Sequence, residues 1–385
     1  MWPADADRGK DQTVTIRIPD EIKPADGRFC SGPGKVRPES VRALADVATT
    51  YLGTSHRQKT VRDQVARLRR GLAELLRAPD GYEVILSNGG TTAFWDAATF
   101  GLIRDRAQFA TFGEFGAKFA KAAKDAPFLG DPTVRKAEPG TAATLQAEAG
   151  VDAYGIPHNE TSTGVIVPVR RVSGADEGAL LLVDATSAAG AVEVDLAQTD
   201  AYYFAPQKAL GSDGGLWIAL MSPAALARVE EIKASGRWIP AFLDLATAVE
   251  QSRLEQTYNT PALATIFLAA EQVDWFLANG GLSWAAKRTE ESAGILYGWA
   301  ERSAVATPFV ADPALRSPVV ATIDFDSTVD AAALAKTLRA NGIIDTEPYR
   351  KLGRNQLRIA LFPAIDPADV EALTASIDYV LEHSS

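Results

Sequence analysis

The chain has 385 residues, 46% of them apolar, a formal net charge of −10 and one cysteine, Cys30. Such a length and apolar content suit two packed domains rather than disorder, and the acidic balance argues against nucleic acid as a partner. A lone cysteine excludes an internal disulfide framework, and no apolar run is long enough for a membrane span. Residues 1–10 are polar and acidic, unlike a secretory leader, so a cytoplasmic location is expected.

Taken in order, residues 1–27 read as an extended arm with a strand-like alternation at Val14-Thr15-Ile16-Arg17-Ile18. Phe29-Cys30-Ser31-Gly32-Pro33-Gly34 predicts a fixed irregular loop, and a short helix is expected over 39–48. His56 and Arg57 sit on a loop ahead of a helix whose apolar face is Val61, Val65, Leu68, Leu72 and Leu75. By themselves they read as a solvated pair. A strand at 83–87 leads into Asn88-Gly89-Gly90-Thr91-Thr92 and a helix from Ala93. That order binds anions, because free N–H groups and the positive end of the helix face the loop. Paired glycines also occur in such turns for steric reasons alone. The dinucleotide G-x-G-x-x-G pattern and the P-loop ending are both absent. Phe115 opens another helix and is either a core aromatic or a ring for a planar ligand. Residues 155–164 form a polar turn whose hydroxyls and amide face a site or cap backbone.

Residues 179–183 are a continuous apolar run, as expected of a central parallel strand, and end in Asp184. An acid at that end lies where α/β sheets bind ligands. Lys208 follows 24 residues later, one crossover away, so the two ends can lie side by side. It occupies a glycine-rich turn between short apolar runs at 201–204 and 216–220. An ammonium there is costly without a partner or a task. The task suggested is Schiff-base formation by a desolvated amine, and the alternative is a loop lysine that reaches solvent. Tyr258-Asn259-Thr260-Pro261 precedes a helix closed by Asn279-Gly280-Gly281. The composition then shifts to a smaller α+β unit: helix 284–302, strand 319–323, helix 331–340, strand 356–361 and helix 368–381 capped by Asp366. Arg358 shares a strand face with Gln356 and Ala360, opposite Leu357, Ile359 and Leu361. It either receives an anion such as a carboxylate or lies on an edge in solvent. The divisions read as an arm at 1–28, a large domain at 29–270 and a small domain at 271–385.

These stretches, in this order and spacing, resemble the class V, fold-type I pyridoxal-phosphate aminotransferases from Phe29 to the C-terminal helix. The signatures are Phe29-Cys30-Ser31-Gly32-Pro33, Ser55-His56-Arg57, Asn159-Glu160-Thr161, Asp184, Gln207-Lys208 and Asn259-Thr260-Pro261. The resemblance implies an α/β fold: a large domain on a mainly parallel seven-stranded sheet, plus a small C-terminal α+β domain. It implies pyridoxal 5′-phosphate as cofactor, with Lys208 as its Schiff-base lysine and Asp184 as partner of the ring nitrogen. Gly90, Thr91, Thr92 and Gln207 would hold the cofactor phosphate. Phe115 would stack on the ring, where the family usually has Trp, and Thr161 would bond the ring hydroxyl side. Asn259 and Thr260 would reach the phosphate from a second subunit, which implies a homodimer with shared sites. Arg358 would take the substrate α-carboxylate, and His56, Arg57, Lys351 and Arg354 would serve a substrate phosphate.

The reaction implied is amino transfer between glutamate and 3-phosphohydroxypyruvate, giving O-phosphoserine and 2-oxoglutarate for serine biosynthesis. The same chemistry on 4-phosphohydroxythreonine belongs to vitamin B6 biosynthesis. Two departures stand out: the family's Arg after the paired glycines is Thr91 here, and its His-Arg pair before the carboxylate Arg aligns with Lys351-Leu352. The rivals are a small amino acid:glyoxylate transaminase of the same class and a non-catalytic ligand-binding module on the same fold. Intact Lys208 and Asp184 argue against the second.

Overall fold

Among residues 16–384, which the computed structural model describes, short apolar segments assemble into a seven-stranded sheet, a three-stranded sheet and a two-stranded hairpin. Val14 and Thr15 lie outside the described residues. Ile16 and Ile18 are not part of a ladder; the Asn341 side chain brackets them, donating to Ile16 O and accepting from Ile18 N, both at 2.9 Å.

The large lobe begins with helices α1 (Pro38–Tyr51) and α2 (Lys59–Leu75). Next come β1 (Glu83–Asn88), α3 (Thr91–Gly101), β2 (Ala107–Thr111), α4 (Glu114–Asp125), β3 (Thr133–Lys136) and β4 (Ala153–Pro157). A hairpin of β5 (Asn159–Glu160) and β6 (Val165–Ile166) precedes β7 (Leu180–Asp184), β8 (Ala201–Phe204) and β9 (Leu216–Met221). Helices α5 (Pro223–Ala234), α6 (Leu245–Arg253) and α7 (Leu263–Ala278) follow, then the long α8 (Gly281–Arg302). The small lobe adds β10 (Ala306–Pro308), β11 (Val320–Phe325), α9 (Ala331–Ala340), β12 (Gln356–Ala360) and α10 (Pro367–His383).

The seven-stranded sheet has the order β1-β9-β8-β7-β4-β2-β3. Only β9 runs against its neighbours; β8, β7, β4, β2 and β3 are parallel. Alternation along each strand feeds two apolar layers. Leu181 and Val183 of β7 pack with α2 and α7 on one face, while Leu180 and Leu182 pack with α3 and α4 on the other. The five apolar residues of α2 that share a helical stripe are all buried. In the small lobe, β10, β11 and β12 form an antiparallel sheet covered by α8, α9 and α10. Leu282 and Ala285 of α8 belong to the core of the large lobe, whereas Leu296, Trp299 and Ala300 belong to that of the small lobe. Among the described residues no helix is long and apolar enough to cross a membrane.

Helix α3 starts at Thr91, two residues before the expected Ala93, because Gly90 O already accepts from Ala93 N and Phe94 N. At the other end of the sheet Arg228, 3% exposed, ties three chain segments together. Its guanidinium donates to Leu102 O, Gly178 O and Asp152 Oδ1 at 2.9, 2.8 and 3.0 Å. Arg228→Ala removes all three bonds, although Asp152 Oδ1 keeps the one from Arg104 N at 2.8 Å. Denaturant unfolding should show a stability loss of about 1.5–3 kcal/mol, the range for hydrogen bonds of a charged group.

Candidate active site

Register sets the site. Asp184 pairs with Pro157 of β4 and with Tyr203 of β8, so the carboxyl ends of these three strands lie level. The turn after β4, the end of β7 and the loop after β8 therefore open onto the same place. There a cavity of about 420 Å³ is lined by Gly90, Thr91, Thr92, Trp95, Phe115, Thr161, Asp184, Thr186, Gln207, Lys208, Tyr349 and Arg358, among others.

Lys208 and Asp184 are each 8% exposed. Lys208 Nζ donates to Thr161 Oγ1 at 2.8 Å, and Thr161 in turn donates to Ser187 Oγ at 2.8 Å. The Nζ lies 5.1 Å from the centroid of the Phe115 ring. Gly32 passes so close that a Cβ there would meet Lys208 Cε at 3.1 Å, and its φ of +155° also favours glycine. Gly34 N donates to Gln207 O at 2.6 Å, which holds this N-terminal loop against the lysine loop. Asp184 Oδ1 accepts from Thr186 N at 3.0 Å and from Thr186 Oγ1 at 2.6 Å, and its Oδ2 accepts from Trp95 Nε1 at 3.1 Å. Thr91 Oγ1 lies 2.7 Å from Thr186 Oγ1.

Burial governs the electrostatics. It pushes the Lys208 amine down to about 8; the Asp184 carboxylate opposes that shift and the Arg358 guanidinium adds to it. Burial pushes Asp184 up, against its bonds from Thr186 and Trp95. The imidazole of His158, behind the site and 3.1 Å from Tyr202 OH, is held down to about 4 by burial and stays neutral. Glu160 is fully buried and accepts from Phe115 N and Gly116 N at 3.1 and 3.0 Å, fixing the start of α4.

Arg358 reaches the cavity from β12 in the small lobe. Its Nη1 is 3.4 Å from Thr161 O, and its Cζ lies 5.3 Å from the centroid of the Tyr349 ring. The free edge of β12 is closed by Arg358 N to Thr346 O and Ala360 N to Phe29 O, so the arginine faces the cavity rather than open solvent.

Of the residues expected at the site, Gly90, Thr91, Thr92, Phe115, Thr161, Asp184, Gln207, Lys208 and Arg358 line this cavity. His56, Arg57, Asn259, Thr260, Lys351 and Arg354 do not. The first four form an exposed patch in which His56 Nδ1 lies 3.1 Å from Thr260 Oγ1 and Arg57 donates to Gln256 Oε1 at 2.8 Å. Asn88 Nδ2 donates to Thr260 O at 3.2 Å, placing the patch behind the glycine loop. Lys351 pairs with Glu114 in a neighbouring cleft beyond Tyr349, and Arg354 pairs with Asp324. Trp95, Thr186 and Tyr349 also line the cavity and were not anticipated. Trp95 stands one helical turn after Thr91, which is the only local signal for it.

The sheet order, the lysine loop and the carboxylate at the end of β7 define a fold-type I aminotransferase site. A family description, "Aminotransferase class-V", matches residues 141–346. Phosphoserine aminotransferase of Nocardioides sp. is 60% identical over 96% of this chain and 100% of its own length. The chain therefore belongs to the phosphoserine aminotransferase family within class V. Among solved structures, a phosphoserine aminotransferase from Cytophaga hutchinsonii superposes with a TM-score of 0.84 at 23% identity, covering 92% of this chain and 99% of that one. A PLP-bound phosphoserine aminotransferase from Trichomonas vaginalis gives 0.77 at 18% identity over 92% and 99%. At those identities the two structures speak for the fold.

A lysine amine attacks aldehydes only when neutral, and an ordinary one becomes so near pH 10.4. Lys208, lowered to about 8, should react with a small aromatic aldehyde at a rate that levels off above about pH 8. Borohydride trapping and peptide mapping across pH check this. A rate that keeps climbing toward pH 10 would contradict it.

Proposed function

We propose that the protein is a pyridoxal-phosphate-dependent phosphoserine transaminase, moving the amino group between glutamate and 3-phosphohydroxypyruvate to give O-phosphoserine and 2-oxoglutarate. The carrying observation is the buried amine of Lys208 sharing one cavity with the Asp184 carboxylate, in a chain 60% identical to proteins of that name.

The residues present fit the cofactor. Asn159 Oδ1, Gln207 Oε1 and Arg358 Nε are buried and lack a partner among the described residues, as expected of a cavity built for a polar ligand. The N–H groups of Thr91 and Thr92 open α3 and have no intrahelical acceptor, so with the threonine hydroxyls and Gln207 they would take the phosphate. Asp184 would face the ring nitrogen, Phe115 the ring plane and Thr161 the ring hydroxyl side. When bound, pyridoxal phosphate supplies an aldehyde carbon that takes up an amine and a ring that accepts the electron pair left at a deprotonated Cα.

The protein's own groups do the rest. Arg358 binds the substrate α-carboxylate and thereby orients the Cα–H bond. Lys208 Nζ, neutral above about pH 8, takes the Cα proton and returns one when the keto acid forms. Phe115 and Tyr349, with ring centroids 6.1 Å apart, wall the cavity and exclude water.

The exposed patch of His56, Arg57, Asn259 and Thr260 completes the site of a second copy: Asn259 and Thr260 reach the cofactor phosphate, and His56 with Arg57 the substrate phosphate. The hydrogen bond between His56 and Thr260 supports this by joining the two pairs outside the chain's own cavity. On a chain of net charge −10, such local cations offset a field that repels a dianion.

Half-reactions of the purified holoenzyme with O-phosphoserine, serine and alanine test the substrate. O-phosphoserine should discharge the cofactor absorbance far faster; equal rates would overturn the assignment while leaving a transaminase. Arg57→Ala should lower kcat/KM for O-phosphoserine by about 1.5–3 kcal/mol, the worth of a charged hydrogen bond, and hardly affect alanine. For the shared site, Lys208→Ala chains should be inactive and Arg57→Ala chains strongly impaired toward O-phosphoserine. After mixing under conditions that exchange subunits they should recover activity, whereas sites confined to one chain would recover none.

A further inference from the structure

Asp184 has more hydrogen-bond donors than a ring-facing carboxylate needs to stay in place. Thr186 serves Oδ1 with both its N–H and its hydroxyl. On the opposite side, Trp95 reaches across from α3 and places its indole Nε1 3.1 Å from Oδ2. Trp95 is 4% exposed; its indole N–H donates to Asp184 Oδ2 and lies beside the Tyr203 hydroxyl, so an apolar residue there would take a donor from the buried carboxylate. It stands one turn after Thr91, whose hydroxyl meets that of Thr186. A chain of contacts thus runs from the glycine loop through Thr91 and Thr186 to Asp184, and Trp95 closes it from the same helix.

We infer that Trp95 is a positioning residue for the reaction: its indole N–H fixes Asp184 Oδ2 toward the cofactor ring nitrogen and favours the ionised carboxylate. The inference rests on the pyridoxal-phosphate reading above. Oδ2 keeps a lone pair after accepting from Trp95, so it can still accept from a protonated ring nitrogen. Burial acts against the carboxylate, and each N–H or O–H donated to it acts the other way. The ring stack of Trp95 on Phe119, with centroids 6.4 Å apart, holds the indole plane and so the N–H direction.

A purely packing role and a role through Asp184 differ in what they do to two cofactors. Trp95→Phe keeps an aromatic ring in the layer and removes only the donor. Apoprotein can be loaded with pyridoxal 5′-phosphate or with its 1-deaza analogue, in which C–H replaces the ring nitrogen. Dissociation constants are read from absorbance and from quenching of protein fluorescence, without turnover. Losing a hydrogen bond to a charged group should weaken pyridoxal-phosphate retention about ten- to a hundredfold. Retention of the deaza analogue should hardly change, because it offers Asp184 no N–H. Equal losses with both cofactors, or no loss with either, would overturn the inference. If Trp95→Phe fails to fold by circular dichroism, Thr186→Val supplies the same comparison. It removes one donor to Oδ1 and should show the same cofactor-dependent loss; without that loss the inference fails. If the wild-type chain retains neither cofactor, it is the pyridoxal-phosphate reading itself that fails.

Discussion

Desolvation of Lys208 is the constraint on which the rest of the site depends. An ammonium in a cavity of low polarity is costly, and so is a carboxylate beside it. The fold meets this with oriented donors and acceptors: Thr161 at the amine, and Thr186 and Trp95 at the carboxylate. The two threonines follow strand ends, and Trp95 lies on the second turn of α3. Their positions follow from the register that levels β4, β7 and β8. A shift of one residue in β7 would turn Asp184 to the other face of the sheet and leave the amine without its counter-charge.

The second requirement is a cation brought in from another lobe. Arg358 has to sit mid-strand and still face the cavity. That works because both edges of β12 are occupied, one by β11 and the other by the segments around Thr346 and Phe29. The stretch from Phe29 to Gly34 thus runs along the small sheet and then against the lysine loop. It touches Arg358's strand at one end and Gln207 at the other. The two lobes meet at the cavity through this shared segment.

Much of this was legible in the residue pattern where the determinant is local. The stripe on α2, the continuous apolar run of β7 and the glycine turn around Lys208 each carry their own signal. So does the Asp366 cap of α10, whose side chain accepts from Ala368 N at 3.0 Å. The face on which Arg358 lies follows from period-two alternation, although nothing local says that the edge beyond it is closed. The start of α3 was misplaced because the capping acceptor is a backbone carbonyl of Gly90, which no side chain announces. Trp95 was invisible for a different reason. Trp95 meets Asp184 across 89 positions, and Thr260 meets His56 across 204. Contacts of that kind are products of topology and have no sequence period of their own.

Helix α8 belongs to both lobes. Its 22 residues would extend roughly 33 Å. Its early turns supply Leu282 and Ala285 to one core, and its later turns supply Leu296, Trp299 and Ala300 to the other. Neither core can lose its share of this helix without exposing a wall of the other. Lys35 adds a second tie, lying 3.3 Å from Asp26 and 3.5 Å from Asp369 on α10. The lobes are therefore coupled thermodynamically as well as by position. Melting of one removes apolar support from the other.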